Sequence, residues 1–147
     1  MNSADIKNIP VPQGKYVPAS RSGNLVFSAG MTPRVNGVLI LCGKVRADEP
    51  LIMYKDAVRQ AAANALNAVL NSLSQKEHIE KVLLLNVYIN AQDGFESHSK
   101  LADFASDYLF EKLGEAGIGS RAAVGVASLP GNAPVEIRLV AAISSGG

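Results

Sequence analysis

Two side chains near the end of the chain have the types and spacing to do chemistry. Arg121 stands at the mouth of the small-residue run Ser120-Arg121-Ala122-Ala123-Val124-Gly125-Val126-Ala127-Ser128-Leu129-Pro130, and Glu136 stands inside the apolar run Val135-Glu136-Ile137. Arginine and glutamate are rarely buried unless they are paired or employed. If the two runs are neighbouring strands joined through Leu129–Ala133, cation and carboxylate meet in one pocket with a wall of small residues. Such a pocket suits a small anionic substrate. The plainer reading is that Arg121 is a surface residue before a strand, and that Glu136 pairs with Arg138 or with a neighbouring chain.

The elements that position these residues follow from periodicity. Along the last strand Val135, Ile137, Leu139, Ala141 and Ile143 are uniformly apolar and are expected to face helices. Glu136, Arg138, Val140 and Ala142 then face the other way. From Met53 to Leu73 there is no Gly or Pro, and Val58, Ala62, Leu66, Val69 and Leu73 share one helical stripe. Phe95 to Leu113 is expected to be a second helix, with Leu101, Ala105, Tyr108 and Leu109 on its core side and Gly114 at its end. The first third reads as strands: Tyr16–Ser20 and Leu25–Ala29 flank Arg21-Ser22-Gly23-Asn24, and Val35-Asn36-Gly37 turns into Val38–Leu41. Val82–Ile89 is a further strand, and Ala122–Ala127 and Val135–Ile143 close the chain. Strands, helix, strand, helix, strands imply an α+β fold in one domain, residues 1–147, with a mixed sheet and two helices on one face. Both faces of Val82–Ile89 are mostly apolar, so the uncovered face is expected to meet another copy of the chain.

Bulk properties remove several classes of function. The 147 residues carry 14 basic and 13 acidic side chains for a net charge of +1, with no basic stripe, so nucleic-acid binding is not indicated. No leader-like or long apolar stretch stands out, so no membrane partner is expected. With Cys42 as its one cysteine the chain has no internal disulfide, and a reducing, cytoplasmic setting is the simple expectation. His78 and His98 have no partners at metal-ligand spacing, so no metal site is expected. His78 reads as a solvated linker residue, and His98, one turn into the second helix, as facing solvent or capping a neighbour. Cys42 reads as a packing residue. Ser28 has no His/Asp constellation around it.

The pieces Gly14-Lys15-Tyr16, Leu25-Val26-Phe27-Ser28-Ala29-Gly30-Met31-Thr32-Pro33 and Arg121…Leu129-Pro130…Val135-Glu136-Ile137 resemble the RidA/YjgF family of reactive-intermediate deaminases, also named endoribonuclease L-PSP. The resemblance runs from about Gly14 to Ile143. It implies a chorismate-mutase-like fold, a homotrimer, and ligand sites in clefts between subunits. It further implies that Arg121 grips a substrate carboxylate, for which a guanidinium offers a planar fork of donors, and that Glu136 positions or activates water. Tyr16, Ala29, Gly30, Met31 and Asp93 would line the cleft. The implied reaction is hydrolysis of a 2-imino acid or enamine to a 2-keto acid and ammonia, which needs no cofactor.

The chain departs from the deaminating members at four places. Ala29 stands where they carry a serine, Asp93 near where they carry an asparagine, Ala123 at a frequent cysteine, and Gly125 at a glutamate. These changes resemble a side branch of the family. They keep open a non-catalytic metabolite-binding trimer, which tolerates lost cleft hydroxyls better than catalysis does. An RNA-cleaving translation inhibitor, suggested by the older family name, is disfavoured by the near-zero net charge.

Overall fold

The Gly- and Pro-free, alanine-rich stretch forms the main helix, α1 (Lys55–Asn71), preceded by a 3-10 turn at Leu51–Tyr54. Alanines make it narrow enough to bury most of its circumference: Val58, Ala61, Ala62, Ala65, Leu66 and Val69 are all in the core. The computed structural model describes residues 11–146. The second helix, α2 (His98–Leu113), starts three residues later than its hydrophobic pattern suggested and stops at Gly114, whose φ is +63°. Leu101, Ala105, Tyr108 and Leu109 face the core as expected. Among the described residues no helix is long and apolar enough to cross a membrane.

The strands are β1 (Ala19–Ser22), β2 (Leu25–Ser28), β3 (Arg34–Val35), β4 (Val38–Leu39), β5 (Glu77–Asn90), β6 (Ser120–Val126) and β7 (Val135–Ser145). Five of them form a mixed sheet in the order β1-β2-β7-β5-β6, and β3 and β4 make a separate hairpin. The expected Val82–Ile89 strand is longer at both ends. His78 therefore sits within β5, exposed, rather than in a linker. β7 runs antiparallel to β5, whereas β6 runs parallel to it because α2 carries the chain back across the sheet. Val135, Ile137, Leu139, Ala141 and Ile143 are buried under the helices, together with Leu85, Val87 and Ile89 of β5. On the opposite face Leu25, Phe27 and Val124 are exposed.

Cys42 is exposed rather than packed. The chain leaves β4 after Leu39, and Gly43, at φ +107°, turns it so that its N–H reaches the Asn132 carbonyl.

Edge strand β1 is tied across the sheet to the start of β5. Arg21 donates from Nη1 and Nη2 to Glu77 Oε1 and Oε2 at 2.8 and 2.6 Å. The guanidinium, with help from the Ser74 N–H, holds the Glu77 carboxyl down at about 2, below its usual 4.5. A carboxyl whose folded pKa is depressed adds stability above its unfolded pKa and loses it as pH falls toward the folded value. Glu77→Gln is therefore expected to flatten the stability–pH curve between about pH 4.5 and 2, read as urea midpoints across that range. The pair lies at the surface, partly open to solvent, so the effect is small and fades with added salt.

Candidate active site

β2 and β7 do not pair regularly to their ends. Phe27 opposes Val140 and Met31 opposes Ile137, so Ser28, Ala29 and Gly30 face only Arg138 and Leu139. One residue is extra on the β2 side, a β-bulge. The buried Ser28 hydroxyl accepts the Leu139 N–H at 2.9 Å and donates to the Ala29 carbonyl at 2.9 Å, supplying what the interrupted ladder lacks. Ala29 donates its N–H to Pro18, and Met31 exchanges both backbone bonds with Ile137. The Gly30 N–H is left without a partner among the described residues.

The bulge brings Gly30 against Glu136. A Cβ at residue 30 would stand 2.6 Å from Glu136 Oε2 and 2.8 Å from its Cδ, so a side chain there has to push the carboxylate aside. Its φ is not in the left-handed region; glycine is called for by the position of Glu136, not by backbone conformation. The two residues form part of a cleft of about 830 Å³, lined also by Tyr16, Phe27, Pro130 and Arg138. Glu136 is half-buried and has no hydrogen-bond or ion-pair partner among the described residues, and burial pushes its carboxyl up from 4.5. An unpaired, partly dehydrated carboxylate beside a free N–H can take a proton from water and orient an oxygen.

Of the residues singled out in the sequence, Tyr16, Ala29, Gly30 and Glu136 come together here. Met31 is buried, its backbone committed to Ile137. Asp93 is exposed on the turn before α2 and does not line this cleft. Arg121 is elsewhere too. β6 and β7 are not neighbours, because β5 lies between them. Arg121 pairs in register with the buried Leu85, whereas Glu136 pairs with Tyr88, so in one protomer the two side chains occupy opposite faces of the sheet. Arg121 turns to α2, where Nη1 donates to Asp103 (2.9 Å) and Ser106 (3.0 Å), and Nη2 donates to the Ser99 carbonyl (3.2 Å) and hydroxyl (2.8 Å).

Arg138 is the residue whose part sequence reasoning missed. It had been a candidate partner for Glu136, but the two form no ion pair, and Arg138 is exposed in the cleft wall without a partner among the described residues. Alternation along the last strand had placed both on one face and was the available signal. His98 also differs from expectation: it is half-buried at the start of α2, edge-on to Phe95. Its Nε2 lies 2.9 Å from where a Cβ on Gly125 would be, so the glycine at 125 makes room for the imidazole.

The Pro130 wall is anchored from behind. Asn90, buried at the end of β5, donates to Asn132 Oδ1 (3.1 Å) and the Ala133 carbonyl (3.0 Å), and accepts from Lys44 Nζ (3.0 Å). Lys44 also reaches the Ala127 carbonyl at 2.6 Å. Asn90→Ala strands the buried Ala133 carbonyl and is expected to lower stability by about 1–3 kcal/mol, measured by urea denaturation.

The family model described as YjgF/chorismate mutase-like, candidate endoribonuclease, matches residues 2–143. Protein TCP17 of Trypanosoma cruzi is 30% identical over 127 residues, 86% of this chain and 79% of its own. The structure of Atu1372 from Agrobacterium tumefaciens, a protein of unknown function, superposes with a TM-score of 0.80 at 34% identity, covering 92% of this chain and 86% of that one. A Shewanella oneidensis MR-1 protein described as a candidate endoribonuclease gives a TM-score of 0.84 at 28% identity, covering 93% and 91%.

Proposed function

The chain belongs to the YjgF/chorismate mutase-like family, and from that premise we propose that its cleft hydrolyses small 2-imino or enamine acids to 2-keto acids and ammonia. The observation that carries this reading is the unpaired, half-buried Glu136 carboxylate, packed against Gly30 in an open cleft. Water adds to the C=N carbon while Glu136 takes one proton and returns it to nitrogen, giving a carbinolamine. Glu136 then moves the hydroxyl proton to nitrogen as the C–N bond breaks, ammonia leaves and the carbonyl forms. Tyr16 supplies a wall, and Gly30, whose N–H has no partner among the described residues, lines the same space.

In this reading the cleft is one half of a site at the junction of a homotrimer. The uncovered sheet face with Leu25, Phe27 and Val124 supports association. Arg121 lies on the other face, so its role as carboxylate clamp requires delivery from a neighbouring copy.

The test is to generate an imino acid in situ and follow ammonia release. The protein is expected to exceed the rate of hydrolysis in buffer, and equal rates would overturn the catalytic reading. A second reading, binding without turnover, is favoured by Ala29, which puts a methyl group where the deaminating members have a hydroxyl. Saturable 2-keto acid binding with no acceleration of ammonia release would establish it.

A further inference from the structure

We infer that Ser28 is a positioning residue: its buried hydroxyl keeps Gly30 pressed on Glu136 and so holds the carboxylate in its half-buried place. The inference rests on reading Glu136 as the base of the cleft, and it concerns what fixes that base.

Ser28, Ala29 and Gly30 carry one residue more than the stretch of β7 they face, so regular strand pairing does not say where Gly30 lies. Three fastenings decide it. After Gly30, Met31 and Ile137 exchange both backbone bonds at 2.7 and 2.9 Å. Beside it, the Ala29 N–H reaches the Pro18 carbonyl at 2.7 Å. Before it, Ser28 Oγ accepts the Leu139 N–H at 2.9 Å and donates to the Ala29 carbonyl at 2.9 Å. The first two fastenings use backbone atoms, which most residues supply. The third is a side chain, and it alone depends on which residue stands there. Each contact lies within one protomer, so none of them waits on subunit association.

Without the hydroxyl the Leu139 N–H is a buried donor that has lost its acceptor, which costs enough to shift the segment or to draw water in. Either response moves Gly30, and Gly30 has little room to move unnoticed. A Cβ there would stand 2.6 Å from Glu136 Oε2, 2.8 Å from Cδ and 3.1 Å from Cγ, so the whole end of the side chain rests on this glycine. Retreat of Gly30 hydrates the carboxylate and relieves the burial that raises its pKa. The other charged or titratable groups around it are Tyr16, Arg138, its register partner Tyr88, and the Arg121 that the trimer reading delivers. A substitution at Ser28 alters none of these, so a shift in the Glu136 titration reports its hydration.

The test follows ammonia release from an imino acid against pH, and the Glu136 titration by carbon NMR of its side-chain carboxyl, with Glu136→Gln identifying the signal. Ser28→Ala is expected to lower kcat about 10- to 100-fold with KM within a few-fold, as displacement of a reacting group does. Its acid limb and its carboxyl titration are both expected to move to lower pH. Ser28→Thr keeps the hydroxyl on a side chain suited to strands and is expected to restore both. Val69→Ala, a core change outside the cleft lining, is expected to lower the urea midpoint and leave both unmoved. Should Ser28→Ala not fold, Ser28→Cys, with a weaker acceptor, is expected to show the same shifts at smaller size. A rate loss that tracks stability with an unmoved titration would make Ser28 merely structural and overturn the inference, as would a variant equal to wild type in both readouts. Absence of ammonia release by the wild type would remove the hydrolytic reading alone. The carboxyl titration would then still decide: moved down in Ser28→Ala it upholds the positioning role, and unmoved it ends it.

Discussion

Glu136→Gln is expected to lower the rate of imine hydrolysis by about 10²–10⁴-fold, the usual loss when a positioned acid–base group is removed. Gln keeps the shape and the contact with Gly30 but cannot take a proton. The carboxyl has no hydrogen-bond or ion-pair partner among the described residues, so the substitution is expected to leave the fold intact. Burial raises the Glu136 pKa, and this has two consequences of opposite sign. A base works only when ionised, so wild-type activity is expected to fall as pH drops through the raised value, at higher pH than for an ordinary carboxylate. Stability moves the other way. A carboxyl raised in the folded state adds stability below its unfolded pKa, near 4.5, and loses it as pH rises through the folded value. Glu136→Gln should therefore remove the acid limb of the rate profile and flatten the stability curve in that window. Ammonia release and urea midpoints, both followed against pH, read these effects. A variant within a few-fold of wild-type turnover would exclude Glu136 as the base.

Gly30→Ala is expected to cost about 10²-fold in turnover with little change in melting temperature. The new methyl would sit 2.6 Å from Glu136 Oε2 and 2.8 Å from Cδ, well inside van der Waals contact. The neighbour is the far end of a flexible side chain and Gly30 is not in a left-handed conformation, so the protein accommodates the methyl by swinging the carboxylate away. A displacement on the order of 1 Å at a reacting group is enough for a loss of that size. The double variant Gly30→Ala/Glu136→Gln is expected to be no slower than Glu136→Gln alone, because both changes remove the same group. Additive losses would mean that Gly30 acts through something other than the carboxylate.

Much of the architecture was legible in local pattern. The stripe of Val58, Ala62, Leu66 and Val69 and the alternation Val135, Ile137, Leu139, Ala141, Ile143 each report which side of an element is apolar, and all of these residues are buried. The same alternation set Glu136 and Arg138 on the outer face. What local pattern lacks is information about which strands become neighbours. Insertion of β5 between β6 and β7 depends on loop closure and on packing summed over the whole sheet, and it moved Arg121 to the face opposite Glu136. His98 likewise looked solvent-facing until Gly125, far away in the chain, came beneath it.

The amino-acid sequence by itself determined the two helices, the inward faces of the long strands and the shared outer face of Glu136 and Arg138, because periodicity is a property of short segments. Only the tertiary structure decided that Gly30 presses on Glu136, that Arg121 is consumed by α2, and that Arg138 has no partner among the described residues. Each of these is set by a contact between residues distant in the chain. A hydrogen-bond donor is spent or available only once the partner that folding brings to it is known.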